Sequence, residues 1–260
     1  MAGRTRTLPS IYGARLWLSG GFLLLALLSP EIMNFLDRLT GRGLRSDDGA
    51  GDGREDGPSW ELVEDSGGFR TFAAKSPGSG SLSLRGETIV DEHIGRLYTA
   101  FLNTTSTLDW VRFLVEVEEL PAVAAGSSRG RSGAGGGDGG VLFQKYDMPW
   151  PVKDREVVLR RNVRLDKKAK KMIATYQSTK HPARPITSAA VRAVVHRTSW
   201  ILTSVGSSRT AIDFETSTDP KGSLPSAVVG FMQMKFPRDT VAGFVSSARG
   251  VKVHPAMAKW

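Results

Sequence analysis

Along residues 115–217 apolar and polar positions alternate with a period close to two, in runs separated by turn residues. The runs Val115–Leu120, Val141–Met148, Glu156–Leu165, Lys171–Ser178, Val191–Thr203 and Thr210–Ser217 read as strands. They follow one another without helical crossovers, so the sheet they build is antiparallel. Two other stretches change to the helical period. Thr88 with Asp91 three residues later resembles a capping box, and Ile94, Leu97, Tyr98 and Phe101 recur on one face, predicting a helix over about 89–102. A short helix around Leu108–Leu114 follows. The second long helical stretch runs from Ser226 to Ala248, with Val241, Phe244, Val245 and Ala248 as its apolar stripe and Gly250 as its stop. Pro237 inside it removes a backbone donor and is expected to kink or split the helix. The fold class is therefore α+β: a curved antiparallel sheet with a long C-terminal helix across it.

The strand at 155–165 carries the most chemistry. One face reads Arg155, Val157, Leu159, Arg161, Val163, Leu165 and the other Glu156, Val158, Arg160, Asn162, Arg164. Period-two alternation turns the first set inward. Arg161 then stands among aliphatic side chains, where an unpaired charge is costly. Three kinds of partner satisfy it: an acid in an internal ion pair, water in a cavity, or the polar group of a ligand.

The two ends of the pattern differ from its middle. Residues 1–30 hold no acid, carry Arg4, Arg6 and Arg15, and then run from Leu16 to Leu28 as thirteen largely apolar residues. Segment 1–40 reads as a targeting or membrane-anchoring element. It directs the chain to the secretory pathway or, read as a transit peptide, to an organelle. Extension of an anchor through Ile32, Met33, Phe35 and Leu36 must carry Glu31, at about 2.5–3.5 kcal/mol if the acid lies centrally. Residues 41–58 lack the apolar side chains to offset ordering entropy and read as a flexible linker. The Gly-rich stretch 126–140 reads as a long surface loop. Residues 59–250 form the folded domain and 251–260 a tail.

Composition narrows the chemistry. The 260 residues are 40% hydrophobic and 23% charged, enough to build a core. No apolar run reaches 18 residues, which excludes a polytopic membrane protein. With no cysteine and four histidines there are no disulfides or thiolate metal sites, and no pair of histidines has ligand spacing. The glycines at 133–140 lack the Lys-Ser/Thr of a phosphate loop, and there is no Gly-x-Ser-x-Gly elbow. Neither catalysis nor a cofactor is expected.

The formal charge is +9. Residues 1–56 hold seven bases and seven acids, so the excess lies beyond them. Residues 153–171 alone carry nine bases and three acids. That run ends in Lys167, Lys168, Lys170 and Lys171. It reads either as a solvated hairpin tip or as a contact with an anionic membrane surface, at about 1 kcal/mol per base. Nucleic acid is not an expected partner, because aromatic residues are not interleaved with these bases.

Four segments carry a family resemblance. They are Trp60-Glu61-Leu62-Val63, the stretch Met148-Pro149-Trp150-Pro151-Val152-Lys153-Asp154-Arg155-Glu156, the turn Asp219-Pro220-Lys221-Gly222-Ser223-Leu224-Pro225, and the apolar helix that follows. In order and spacing the sequence resembles the START (StAR-related lipid-transfer) domain over about 59–250. Glu156 stands where the family usually has Asp, Asp109 precedes Trp110, and Pro237 interrupts the gripping helix. The resemblance implies a helix-grip fold around one hydrophobic cavity. It also implies non-catalytic binding or transfer of a lipid ligand such as a sterol or phospholipid. It places Arg161 at a position where the family often keeps a charged cavity residue. On this reading the cavity is walled by Val157 and Leu159 of the strand and by Val228, Val229, Met232, Phe236 and Phe244 of the helix. About 400 Å² of buried lipid surface gives about 10 kcal/mol before ordering costs.

Overall fold

The computed structural model describes residues 6–7, 59–75, 81–122, 139–148 and 150–260. Apart from Arg6–Thr7, the expected N-terminal targeting segment and linker lie outside these residues, as does most of the Gly-rich loop. The strands are β1 (Arg6–Thr7), β2 (Glu61–Ser66), β3 (Phe69–Lys75), β4 (Leu82–Val90), β5 (Leu114–Leu120), β6 (Gly140–Tyr146), β7 (Arg155–Asp166), β8 (Lys171–Ser178), β9 (Val191–Arg192), β10 (Val194–Val205) and β11 (Arg209–Asp219). The helices are α1 (Ile94–Leu102), α2 (Thr107–Trp110) and α3 (Ser226–Ala248).

One sheet takes all the strands in the order β1-β5-β6-β7-β8-β10-β11-β4-β3-β2. Its neighbours run antiparallel, as the absence of crossovers predicts, except β9, which lies parallel to the first two residues of β7. The sequence pattern predicts no strand before Val115, yet β4 pairs with β11, β3 with β4 and β2 with β3, extending the sheet. Thr88 is accordingly a strand residue and not a helix cap. The cap is His93, whose Nδ1 accepts the Gly95 amide at 3.0 Å. The helix expected around Leu108–Leu114 is shorter, and Leu114 already belongs to β5.

α3 keeps the predicted limits and is not split by Pro237. Pro237 is buried above Gly86 of β4, where a side-chain carbon would lie 3.1 Å from the proline Cβ and 2.7 Å from the Phe69 ring. Gly243 is tucked the same way against Trp110, whose carbonyl oxygen would be 3.0 Å from an added Cβ. These two glycines let the helix lie close on its neighbours.

The helix has two regimes. Its C-terminal half sends Val241, Phe244 and Ala248 into a solid core with Leu97 and Phe101 of α1 and Val163, Met172, Leu202 and Ile212 of the sheet. Phe244 stands in a ring cluster with Trp110, Trp200 and Phe101 at centroid distances of 5.3, 5.1 and 6.0 Å. Its N-terminal half covers an open space instead.

Candidate functional site

β7 shows how the inner face divides. Burial alternates from Leu159 onward: Leu159, Arg161 and Val163 are buried while Arg160, Asn162 and Arg164 are exposed, whereas over Arg155–Val158 both faces are covered, Glu156 and Val158 included. Val157 and Leu159 face a cavity, Val163 packs in the core, and Arg161 stands between the two. The cavity lies under the first half of α3, where Met232, Phe236 and Thr240 recur at four-residue intervals on its roof. Its floor is made by Leu82 and Leu84 of β4, Val195 of β10 and Phe214 of β11, and Trp110 and Trp200 close its inner end. The space open to the centre of a water molecule is about 180 Å³.

Polar groups in this lining are few and mutually arranged. The Tyr146 hydroxyl donates to Gln144 Oε1 at 2.9 Å. Thr216 shares hydrogen bonds with Thr198 at 2.7 Å and with Thr218 at 3.2 Å, forming a line of hydroxyls along the floor. Burial holds the phenols of Tyr146 and Tyr176 neutral well above the ordinary tyrosine range. At Tyr176 the charge of Arg161, its cross-strand partner, pulls the other way. Both tyrosines therefore act as neutral hydrogen-bonding groups. The buried Thr240 hydroxyl has no partner among the described residues.

Arg155 is the buried cation of this site. Its guanidinium donates to the main-chain carbonyls of Lys153, Pro220 and Lys221. Burial lowers its pKa from the ordinary arginine value, and the neighbouring Asp154 charge partly offsets this. Arg155 thus joins the start of β7 to the turn that leads into α3, at the mouth of the cavity. The mouth is completed by Arg112 and Phe113, by Leu224, and by Met148 on the β6–β7 connection. Two residues beyond Met148, Trp150 is 87% exposed.

The residues that the sequence suggests for the cavity fall into two groups. Val157, Leu159, Met232 and Phe236 line it. Arg161, Val228, Val229 and Phe244 are not among the lining residues. Arg161 donates to Thr104 Oγ1 at 2.9 Å and lies 3.4 Å from a Glu119 carboxylate oxygen, one step behind Tyr176. This is the internal ion pair that inward parity left open. Phe244 belongs to the aromatic plug, and Val228 and Val229 are half-buried in the first turn of α3. Lys167, Lys168, Lys170 and Lys171 lie at the β7–β8 hairpin, the opposite end of β7 from the cavity mouth.

Sequence reasoning missed Gln144, Tyr146 and Tyr176, although alternation from Leu142 and from Met172 already places them on inner faces. It named Arg155 as an inward residue without giving it a role. The histidines have local structural partners: His93 and His254 cap helices, His181 bonds the Pro121 carbonyl, and His196 meets Ser81 Oγ at 2.9 Å. No cluster of three His, Asp or Glu suited to a metal occurs among the described residues. Nor is any helix among them long and apolar enough to cross a membrane.

A curved antiparallel sheet that grips a long helix over an apolar cavity defines a ligand-binding protein of the helix-grip class. Residues 54–244 match the START domain, and the chain belongs to that family. An uncharacterized protein of Pseudomonas aeruginosa is 23% identical over 189 residues, which cover 73% of this chain and 86% of that protein. The START domain-containing protein 10 of Homo sapiens is 37% identical over 89 residues, 34% of this chain and 30% of that one. Among solved structures, human START domain-containing protein 10 superposes with a TM-score of 0.60 at 21% identity, covering 73% of this chain and 72% of its own. Human StAR-related lipid transfer protein 5 gives 0.61 at 16% identity, over 75% and 88% of the two chains. Lipid binding is the family's general property.

Proposed function

We propose that this protein encloses one lipid under the N-terminal half of α3 and carries it between membranes without chemical change. The observation that carries the reading is the composition of the cavity wall. Aliphatic and aromatic side chains surround a small set of neutral hydrogen-bonding groups, Gln144, Tyr146, Tyr176 and the threonine line, with Arg155 at the mouth. Such a wall takes an apolar body and orients one polar head. Water-centre space of about 180 Å³ is small for a lipid, so entry moves the first half of α3 outward. Among its described side chains, Val228, Val229 and Met232 are only half-buried, unlike Val241, Phe244 and Ala248.

The lipid-transfer role in the name of the human protein 5 relative supports transfer over simple storage. The exposed Trp150 beside the mouth suits contact with a bilayer interface, where indole rings partition. The N-terminal hydrophobic segment then holds the chain at a membrane of the secretory pathway. Native mass spectrometry of the purified protein tests the first step: one co-purifying lipid per chain is expected. Exchange between donor and acceptor vesicles tests the second, and binding without exchange would make the protein a lipid sensor.

A further inference from the structure

The outer face of the sheet carries a second surface, at the end away from the cavity mouth. Arg160 and Arg164 point outward from β7, which continues into the exposed Lys167, Lys168 and Lys170 of the hairpin. Register sets Arg164 opposite Ile173 and Ile173 opposite Ile201. Ile201 lines a shallow depression with Ala211, Lys171 and Ile89, the last 57% exposed. An aliphatic strip thus runs across β8, β10, β11 and β4 with cations along one side.

The charges there are not neutralised from within. Arg160, Arg164, Lys167, Lys168, Lys170 and Lys171 form no ion pair within 4.0 Å among the described residues. The two acids bordering the depression, Glu87 and Asp213, are held by Arg70 and Arg85. Asp166 is turned to the Ala169 amide, which it caps at 2.9 Å. A positive field therefore stands beside an aliphatic strip that is half-buried at Ile173, Ile201 and Ala211 and exposed at Ile89.

We propose that this end of the sheet is a docking surface for an anionic membrane. The cations meet headgroup phosphates and carboxylates while the isoleucines reach the acyl boundary, as on an amphipathic helix lying in an interface. A nucleic acid would want aromatic platforms among the bases. The outward neighbours on β7, β8 and β10 are instead Asn162, Ile173, Thr175, Gln177 and Ile201. β7 has 12 residues, so the two ends of the strand lie about 36 Å apart. A chain docked here keeps Trp150 and the cavity mouth turned away, toward a second bilayer. That last clause rests on the cavity reading, whereas the docking surface does not.

Flotation of the full-length chain with vesicles of phosphatidylcholine alone, or with added phosphatidylserine, tests the surface. The wild type is expected to favour the phosphatidylserine vesicles. The triple variant R164E/K167E/K168E should lose that preference by about tenfold or more, while its binding to phosphatidylcholine and its lipid content by native mass spectrometry stay unchanged. K167Q/K168Q changes only exposed residues of the hairpin tip and should lose part of the preference with an unaltered melting temperature. A wild type without preference, or a preference that survives both variants, overturns the proposal. A chain that favours phosphatidylserine yet carries no lipid upholds the surface and counts against the cavity reading.

Discussion

Arg155 donates a hydrogen bond to the main-chain carbonyl of Lys221 at 3.0 Å across 66 residues of sequence. With the bonds to Pro220 and Lys153, this single guanidinium holds the turn that launches α3. A lysine in its place keeps the charge but has no planar fork to reach three carbonyls at once. Arg155→Lys is expected to lower stability by about 2–3 kcal/mol, read from urea unfolding. Amide exchange over residues 219–225 should quicken more than in the core. Unchanged exchange there would show that the turn is held by other contacts.

Arg161 sits where core and cavity meet, and its partners decide its role. Thr104 Oγ1 accepts from Arg161 and donates to Glu119, so Thr104→Val removes one hydrogen-bond partner of a buried guanidinium and leaves Glu119 beside it. The expected cost is about 1–3 kcal/mol. The Glu119 side chain is 59% exposed, and Glu119→Gln should cost less than about 1 kcal/mol. Arg161→Leu should lower the unfolding midpoint while leaving lipid occupancy in native mass spectra near wild type. Loss of occupancy in a stable Arg161→Leu protein would instead place the guanidinium on the ligand.

These two arginines mark how far the sequence could be read. Alternation on 155–165 placed both inward, because the period of a strand is fixed by its geometry. It did not say that Arg155 would meet carbonyls and Arg161 a threonine and a glutamate, since those partners come from distant segments. The limits of α3 were readable from the apolar spacing and Gly250, yet Pro237 suggested a break. The structure accommodates that proline by packing it on Gly86. β2 to β4 were hidden for a local reason. Their apolar residues are broken up by charged and small ones, and Val90 happens to continue the helical spacing of Ile94, Leu97 and Phe101. Period alone also cannot tell an inward residue facing a void, such as Leu159, from one facing the Phe244 plug, such as Val163.

Trp150 is exposed beside the cavity mouth, so its replacement separates docking from folding. Trp150→Ala should change stability by no more than about 0.5 kcal/mol. It should slow lipid exchange between neutral vesicles by about tenfold, given the partition of an indole into the interface. Lipid already enclosed should remain. Exchange at the wild-type rate would remove Trp150 from the contact between the cavity mouth and a bilayer.

Asp219 gives the same turn a dependence on pH. The Asp219 carboxylate accepts the Lys221 amide at 2.9 Å and pairs with the Lys221 ammonium at 2.6 Å, and these bonds hold its pKa below the ordinary carboxylate value. A depressed folded-state pKa contributes stability that is present above the unfolded pKa and is lost as pH falls through the folded one. At neutral pH Asp219→Ala should cost about 1 kcal/mol. The gap between the two proteins should close on the acid side of the carboxylate range. Urea midpoints measured across pH check this, and a constant gap would mean that the charge on Asp219 is not what matters.

The cavity itself is tested most directly by filling it. Met232 of α3 lines the cavity, and its flexible thioether can yield to a ligand. Tryptophan at the same position occupies that space with a rigid ring. Met232 is half-buried and is not part of the solid core, so Met232→Trp should leave the melting temperature nearly unchanged. Lipid occupancy should fall about tenfold, equivalent to about 1.4 kcal/mol. Val163→Ala, in the solid core, is expected to do the reverse, lowering stability while leaving occupancy intact. If Met232→Trp retained full occupancy, the lipid would have to bind elsewhere than under α3.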